Sequence, residues 1–370
     1  MTSELKLIAR QISLAKKPED VFGRLARQGT DLLPGLKKSY HSLVKIAHPD
    51  LYQSKDEQIL AQSILGQLIE WFRLAEQKIK AGRYGALDDQ QKQINIQTKK
   101  RSYLVDDCCV QDGIYNLYPC SFEADGQTYR ALLQLVRDPH DNELAQNEIA
   151  VLEQLQKAPE AAKFSAYFPA LIEAFIYTDG ASAHQAEIME QNAGWYSLEE
   201  VRRFYPAGIQ AKDMAWIWRR LLTALGHAHR NKIIHTAVLP CNVWIQPEQH
   251  GLMLKNWAYA AIDQATDRQP ALINNPVYQE WYPSDTRNQP VSPGLDIALS
   301  TKCMLYLLGA NLEENWRTPE SLPAPLKRFF RGCLLPRNRA PQDAWALMQE
   351  FDELIEKLWG QRKFHPFKMK

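Results

Sequence analysis

The stretch Ile233–Ile245, IIHTAVLPCNVWI, holds His235 and Asn242 seven residues apart in a largely apolar run, with no acid between them. Its surroundings set the layout. Apolar positions recur with a helical period at 211–230, 295–309, 322–333 and 343–358. Further upstream lie short alternating runs at 103–111, 114–122 and 128–137, and the last two form a hairpin about the Ala-Asp-Gly turn at 124–126. A helix over 141–156 follows an Asp cap, and strands are expected at 170–177 and 185–190. This part of the chain reads as α+β, a small sheet-rich region followed by a larger helical one.

Composition narrows the class. The 370 residues are 45% apolar and 24% charged, ordinary values for a globular protein long enough for two or three domains. A formal net charge of +1 argues against a general nucleic-acid binder, which needs a concentrated basic surface. No run approaches the length of a membrane span, and the first 22 residues lack the continuous apolar segment of a secretion signal. The six cysteines form no C-x-x-C pair, so reduced thiols, a cytoplasmic location and no metal site are expected.

Residues 1–82 read as all-helical, and the polar stretch 83–102 reads as a linker whose Lys99, Lys100 and Arg101 are a solvated run. Within the helical part, Leu36, Tyr40, Leu43 and Ala47 share one helical face, while Lys37, His41 and Lys45, with Lys38 beside them, make a basic stripe. That helix must stop at Pro49, which lacks an N–H and clashes with the preceding turn. A second apolar stripe, Ile64, Leu68, Phe72, Ala75 and Ile79, marks a helix near 56–81, so His48, Pro49 and Asp50 fall in the loop of a helical hairpin. Residues 19–82 thereby resemble a J domain, the part of DnaJ-type co-chaperones that docks on a DnaK-type chaperone and triggers its ATPase. The resemblance implies chaperone binding through His48, Pro49, Asp50, Lys37, Lys38, His41 and Lys45. Exposed cations steer the encounter and one well-placed carboxylate supplies the switch.

The region 103–358 resembles a protein kinase, with a small β-rich lobe over 103–192 and a large α-helical lobe over 193–370. In the stretch quoted first, His235 and Asn242 keep the spacing of the catalytic loop, but Ala237 stands where the catalytic Asp belongs. The glycine loop retains only Gly113, and Tyr115 and Leu117 occupy space that phosphates need. The resemblance places Gln134 at the phosphate-binding lysine and Asn256 at the magnesium-binding Asp. Glu148 matches the glutamate that pairs with that lysine. Having lost its cation, it is expected to be exposed or rebonded, with Gln134 as one partner. The fold supports look intact: Asp296 matches the residue that anchors the catalytic-loop backbone, and Asp285 and Arg339 match a buried structural pair.

Together the two parts resemble bacterial proteins that fuse a J domain to a degenerate kinase domain, and 194–209 and 356–369 are similar to that group as well. The expectation is a non-enzymatic co-chaperone or adaptor, a pseudokinase without cofactor or metal that binds a protein client, with no nucleic acid and no membrane. The alternative is an unconventional ATP-binding serine/threonine kinase-like enzyme, with Lys255 entering the phosphate site and Glu148 holding a metal. His227, His229 and His235 read as structural rather than metal-ligating, Trp216 and Trp218 as core, and Phe364 and Phe367 in the basic tail as packed on the helical region.

Overall fold

Helix–loop–helix periodicity and alternating strands divide the chain into two compact units, residues 1–91 and 92–370. The structure, a computed structural model, describes residues 5, 8–9, 11–12, 15, 17–23, 25, 32–52, 54–80, 84, 93–107, 109–180, 182–191, 194–262, 273, 276–283, 286, 290–310, 316, 319–320, 322–336, 338–364 and 366–369. The whole is mixed α+β, with an N-terminal helical region and a curled antiparallel sheet. No helix among the described residues is long and apolar enough to cross a membrane.

The first unit contains α1 (Pro18–Phe22), α2 (Leu33–Ile46) and α3 (Lys55–Lys80). Helix α3 buries Ala61, Ile64, Leu68 and Ala75, the one-face spacing of an amphipathic helix, against Leu36 and Ala47 at the two ends of α2. Tyr40 packs its ring 4.6 Å from Phe72, which fixes the pairing of α2 with α3. Glu19 on α1 meets Lys78 on α3 at 3.1 Å, and the Tyr84 hydroxyl donates to the Gly23 carbonyl at 2.9 Å.

The second unit begins with seven antiparallel strands: β1 (Gln93–Gln97), β2 (Ser102–Asp106), β3 (Val110–Asp112), β4 (Tyr115–Ala124), β5 (Gln127–Val136), β6 (Leu171–Asp179) and β7 (Ser182–Glu190). Their order is β1-β2-β4-β5-β7-β6, with β3 on β4. The turn joining β4 and β5 places Asp125 at φ 50° and Gly126 at φ 72°, the left-handed pair that a two-residue hairpin loop demands. The linker expected over 83–102 is corrected in its second half, because Gln93–Gln97 pairs residue for residue with Ser102–Asp106. Ladder bonds and the Thr98 hydroxyl, which accepts from the amides of Lys100 and Arg101, hold the mostly exposed β1 to β2, whose Tyr103 and Val105 are buried. Arg101 is likewise not merely solvated: its guanidinium lies 4.7 Å from the centre of the Phe122 ring.

Alternation assigns the two faces of this sheet. Cys120, Phe122, Ala131, Leu133, Ala186 and Ile188 point into one apolar cluster with Tyr103. Residues of opposite parity, among them Tyr115, Leu117, Gln134 and Glu187, point to the other side. Helix α4 (Asn142–Lys157) covers part of that side.

The rest is largely helical: α5 (Ala161–Phe164), α6 (Leu198–Phe204), α7 (Ala211–Arg230), α8 (Pro276–Gln279), α9 (Pro293–Leu307), α10 (Ala324–Cys333) and α11 (Ala344–Trp359). Short strands β8 (Tyr196–Ser197), β9 (Ile233–Ile234), β10 (Val243–Gln246), β11 (Gly251–Leu254) and β12 (Ala261–Ile262) tie the loops between them. Trp218, fully buried on α7, stacks 5.0 Å from Phe330 and donates to Ser300, so it is core as expected. Trp216 is partly buried and stacks on His250. Two expectations fail here. Arg339 is exposed, which excludes the buried ion pair assigned to it, and its expected partner Asp285 lies outside the described residues. Phe364 is 65% exposed; of the two tail aromatics only Phe367 packs into the core.

Candidate functional site

Two sites emerge, one in each unit. In the first, Pro49–Leu51 forms a single 3₁₀ turn between α2 and α3. The turn is held at both ends. Ala47 is buried, and Tyr52 is buried with its hydroxyl donating to the Ile46 carbonyl, while the Gln58 amide donates to the Tyr52 carbonyl at 2.8 Å. Between these anchors the Asp50 amide donates to His48 Nδ1 at 3.4 Å, and the Asp50 carboxylate, 87% exposed, stands in solvent. Lys37, Lys38, His41 and Lys45 are all exposed on α2. The seven residues singled out by sequence therefore form an outward-facing cationic helix and a rigidly presented acid.

The second site lies on the α4 side of the sheet. Asp296, wholly buried in α9, organises the loop after β9. Its Oδ2 accepts from the His235 amide at 2.8 Å and from His229 Nε2 at 2.9 Å, and its Oδ1 accepts from the Thr236 amide at 2.8 Å. These bonds hold Thr236 at φ 64°, an unfavourable left-handed conformation for a β-branched residue. The Thr236 hydroxyl donates to the Tyr259 carbonyl at 2.8 Å. His235 Nε2 donates to the Lys255 carbonyl, and its Nδ1 accepts from the Ala237 amide. Burial pushes the His235 imidazole down to about 4, so the neutral Nε2–H tautomer fits both contacts. Ala237 is fully buried and carries no proton acceptor. The Asn242 amide donates to the Ala237 carbonyl at 2.9 Å, while its Oδ1 accepts from Asn256 at 3.3 Å. Both asparagines are spent on holding the loop. Among the described residues no group of three or more His, Cys, Asp or Glu is placed to hold a metal ion.

Glu148 is rebonded, one of the two expected outcomes, but its partners are Tyr115 and Trp257 rather than Gln134. It is 2% exposed on α4, accepts from the Tyr115 hydroxyl at 2.8 Å and from the Trp257 amide at 2.9 Å. Glu148 is thus met by a neutral phenol rather than by a cation. The same hydroxyl lies 3.0 Å from Glu187 Oε1, while Glu187 Oε2 is buried with no partner among the described residues. Burial pushes both carboxyls up, and repulsion from Glu148 raises Glu187 further. Glu187 escaped notice in the sequence; an acid at a sheet-core parity, between Ala186 and Ile188, was the available signal. Trp257 does not fill the cleft. Its fully buried indole donates to the Leu254 carbonyl and packs against Phe168.

Beside this cluster is a cavity of about 180 Å³, lined by Leu117, Leu132, Gln134, Trp244, Met253 and Lys255 among others. The Lys255 ammonium lies 4.0 Å from the centre of the Trp244 ring. Burial lowers its affinity for the proton, opposed by the charges of Asp112 and Glu148. No family model matches the chain, and no curated protein matches it at a significant level.

Proposed function

We propose that the chain is a co-chaperone or adaptor: its first unit acts as a J domain that recruits a DnaK-type chaperone and stimulates its ATPase, and its second unit is a catalytically inactive kinase-like domain that binds a protein client. The observation that carries the reading is Asp50, an acid pinned on a tight turn and 87% exposed, next to an exposed basic helix. The absence of an acid at Ala237 and the mutual bonding of Asn242 with Asn256 support the inactive half, because phosphoryl transfer needs a base, a cation on the phosphates and carboxylate-held magnesium. Single-turnover ATP hydrolysis by a DnaK-type chaperone tests the proposal: the full chain accelerates it and Asp50→Asn does not. Equal acceleration by both proteins refutes the J-domain assignment.

Lys255 favours a second reading, an unconventional ATP-binding enzyme, since it supplies one half-buried cation to the cleft that holds Glu148. Thermal unfolding with millimolar ATP, with and without magnesium, separates the two. Ligand at about a hundred times its dissociation constant adds about 2.7 kcal/mol to the stability of the folded state, and no rise eliminates the enzyme.

A further inference from the structure

We infer that the cavity beside Lys255 is a binding site for a compact organic monoanion, a single planar ring bearing a carboxylate. The inference stands on the cavity itself and holds whether or not the chain is a co-chaperone.

Size is the first constraint. A cavity of about 180 Å³ is close to the roughly 150 Å³ that accommodates benzene and well below the roughly 300–1,000 Å³ of drug-sized pockets. It holds one ring and a substituent. The walls give the shape. Leu117 and Leu132 come from adjacent strands of the large sheet, and Met253 comes from β11 in a different sheet, so apolar surfaces from two separate sheets face the space. Trp244 adds an aromatic surface.

Two polar groups then select the ligand. Gln134 is 8% exposed, lines the cavity, and its side-chain amide makes no hydrogen bond among the described residues. The side chain is mostly buried, but its amide keeps contact with solvent through the cavity, so a ligand offering an acceptor and a donor replaces water there. Lys255 is the second. Its ammonium rests over the Trp244 ring and forms no ion pair among the described residues. A carboxylate entering the cavity completes both groups. The same geometry disfavours a polyphosphate: Asp112 and Glu190 also line the cavity, and Glu148 lines the narrow extension toward Asn242. One negative charge is met by Lys255; several would face these acids.

Isothermal titration of the full chain with benzoate and nicotinate, set against their uncharged counterparts benzamide and nicotinamide, tests the site. The expected result is that the acids bind and the amides bind at least about tenfold more weakly, the equivalent of one modest ion pair. Lys255→Met removes that preference and Lys255→Arg retains it. Leu132→Trp, which fills the cavity, abolishes binding of all four. Silence from both acids at about 10 mM, equal binding of acid and amide, or unaltered binding by Leu132→Trp overturns the inference. Magnesium–ATP displacing the acids from the cavity overturns it as well, since the site then belongs to a nucleotide.

Discussion

Replacing Asp296 with Ala isolates what holds the loop after β9 together. The carboxylate is wholly buried and accepts three hydrogen bonds, from the amides of His235 and Thr236 and from His229. Its removal orphans two backbone N–H groups in a water-free interior, each costing about 1–3 kcal/mol, and releases Thr236 from a conformation it would not adopt unaided. The sum is on the order of 3–5 kcal/mol, the range seen when one member of a buried charged set is deleted. For a unit of this size each kcal/mol moves the melting temperature by about 2–4 °C, so the second unit should melt roughly 6–20 °C lower. Asn at 296 recovers only part, because its single carbonyl oxygen cannot serve the partners of both Oδ1 and Oδ2, and its NH2 points a donor at a donor. Near-UV circular dichroism, which reports the tryptophans packed in this unit, follows the transition. A variant melting within about 2 °C of the wild type refutes the account of the loop.

Further outcomes follow from other sites. The folded-state pKa of Glu187 lies above the unfolded value of 4.5, so the folded state binds more protons and stability must fall as pH rises from about 4.5. Glu187→Gln keeps an acceptor for Tyr115 and removes the titration, so urea unfolding should show a slope up to about 1.4 kcal/mol per pH unit shallower than the wild type; an unchanged slope excludes Glu187 as the source. Leu68→Ala, at a wholly buried position of α3, should cost about 2–5 kcal/mol and unfold the first unit at lower urea, measured by far-UV circular dichroism. Neutralising Lys37, Lys38 and Lys45 together should slow association with a DnaK-type chaperone and flatten its salt dependence in stopped-flow traces, while leaving the melting temperature of these exposed positions within about 1 °C.

What sequence discloses here tracks how locally a feature is determined. The hairpin turn at Asp125–Gly126, the stop of α2 before Pro49 and the apolar stripe of α3 each depend on a few neighbouring residues, and each appears where periodicity places it. The hairpin of β1 with β2 was hidden because QINIQ is nearly all exposed and polar; its strand character comes from a ladder partner rather than from a buried face. The candidate cleft divides in the same way. The role of Asp296 as a backbone anchor is implied by the resemblance to protein kinases, not by periodicity. The partners of Glu148 are legible from neither, because Tyr115, Glu187 and the Trp257 amide come from three segments that only the folded sheet and α4 bring together. The burial expected of Arg339 failed for a related reason: a motif-like spacing says which residues to compare, not whether the fold buries them.

The proposed division of labour follows from where each unit keeps charge. On the first unit, cations and one acid sit in water, where their fields reach a partner and cost little to maintain. In the second, Glu148 and Glu187 have been drawn out of water and share a neutral phenol. Burial raises both carboxyls, and repulsion from Glu148 raises Glu187 further, so both hold their protons to higher pH than a solvated carboxylate does. A protonated pair is a poor seat for magnesium, and a deprotonated pair is a poor neighbour for phosphate. Lys255 is a single cation and offsets at most one of these charges. Building a phosphate grip would therefore require more than a Lys at position 134: the new ammonium would pair with Glu148 only by displacing Tyr115, whose hydroxyl then leaves Glu187 with no donor at all. Gln134→Lys alone should accordingly destabilise the second unit without conferring ATP binding, whereas the same change combined with Glu187→Gln and Tyr115→Phe should recover stability, because it replaces a shared phenol with a true ion pair.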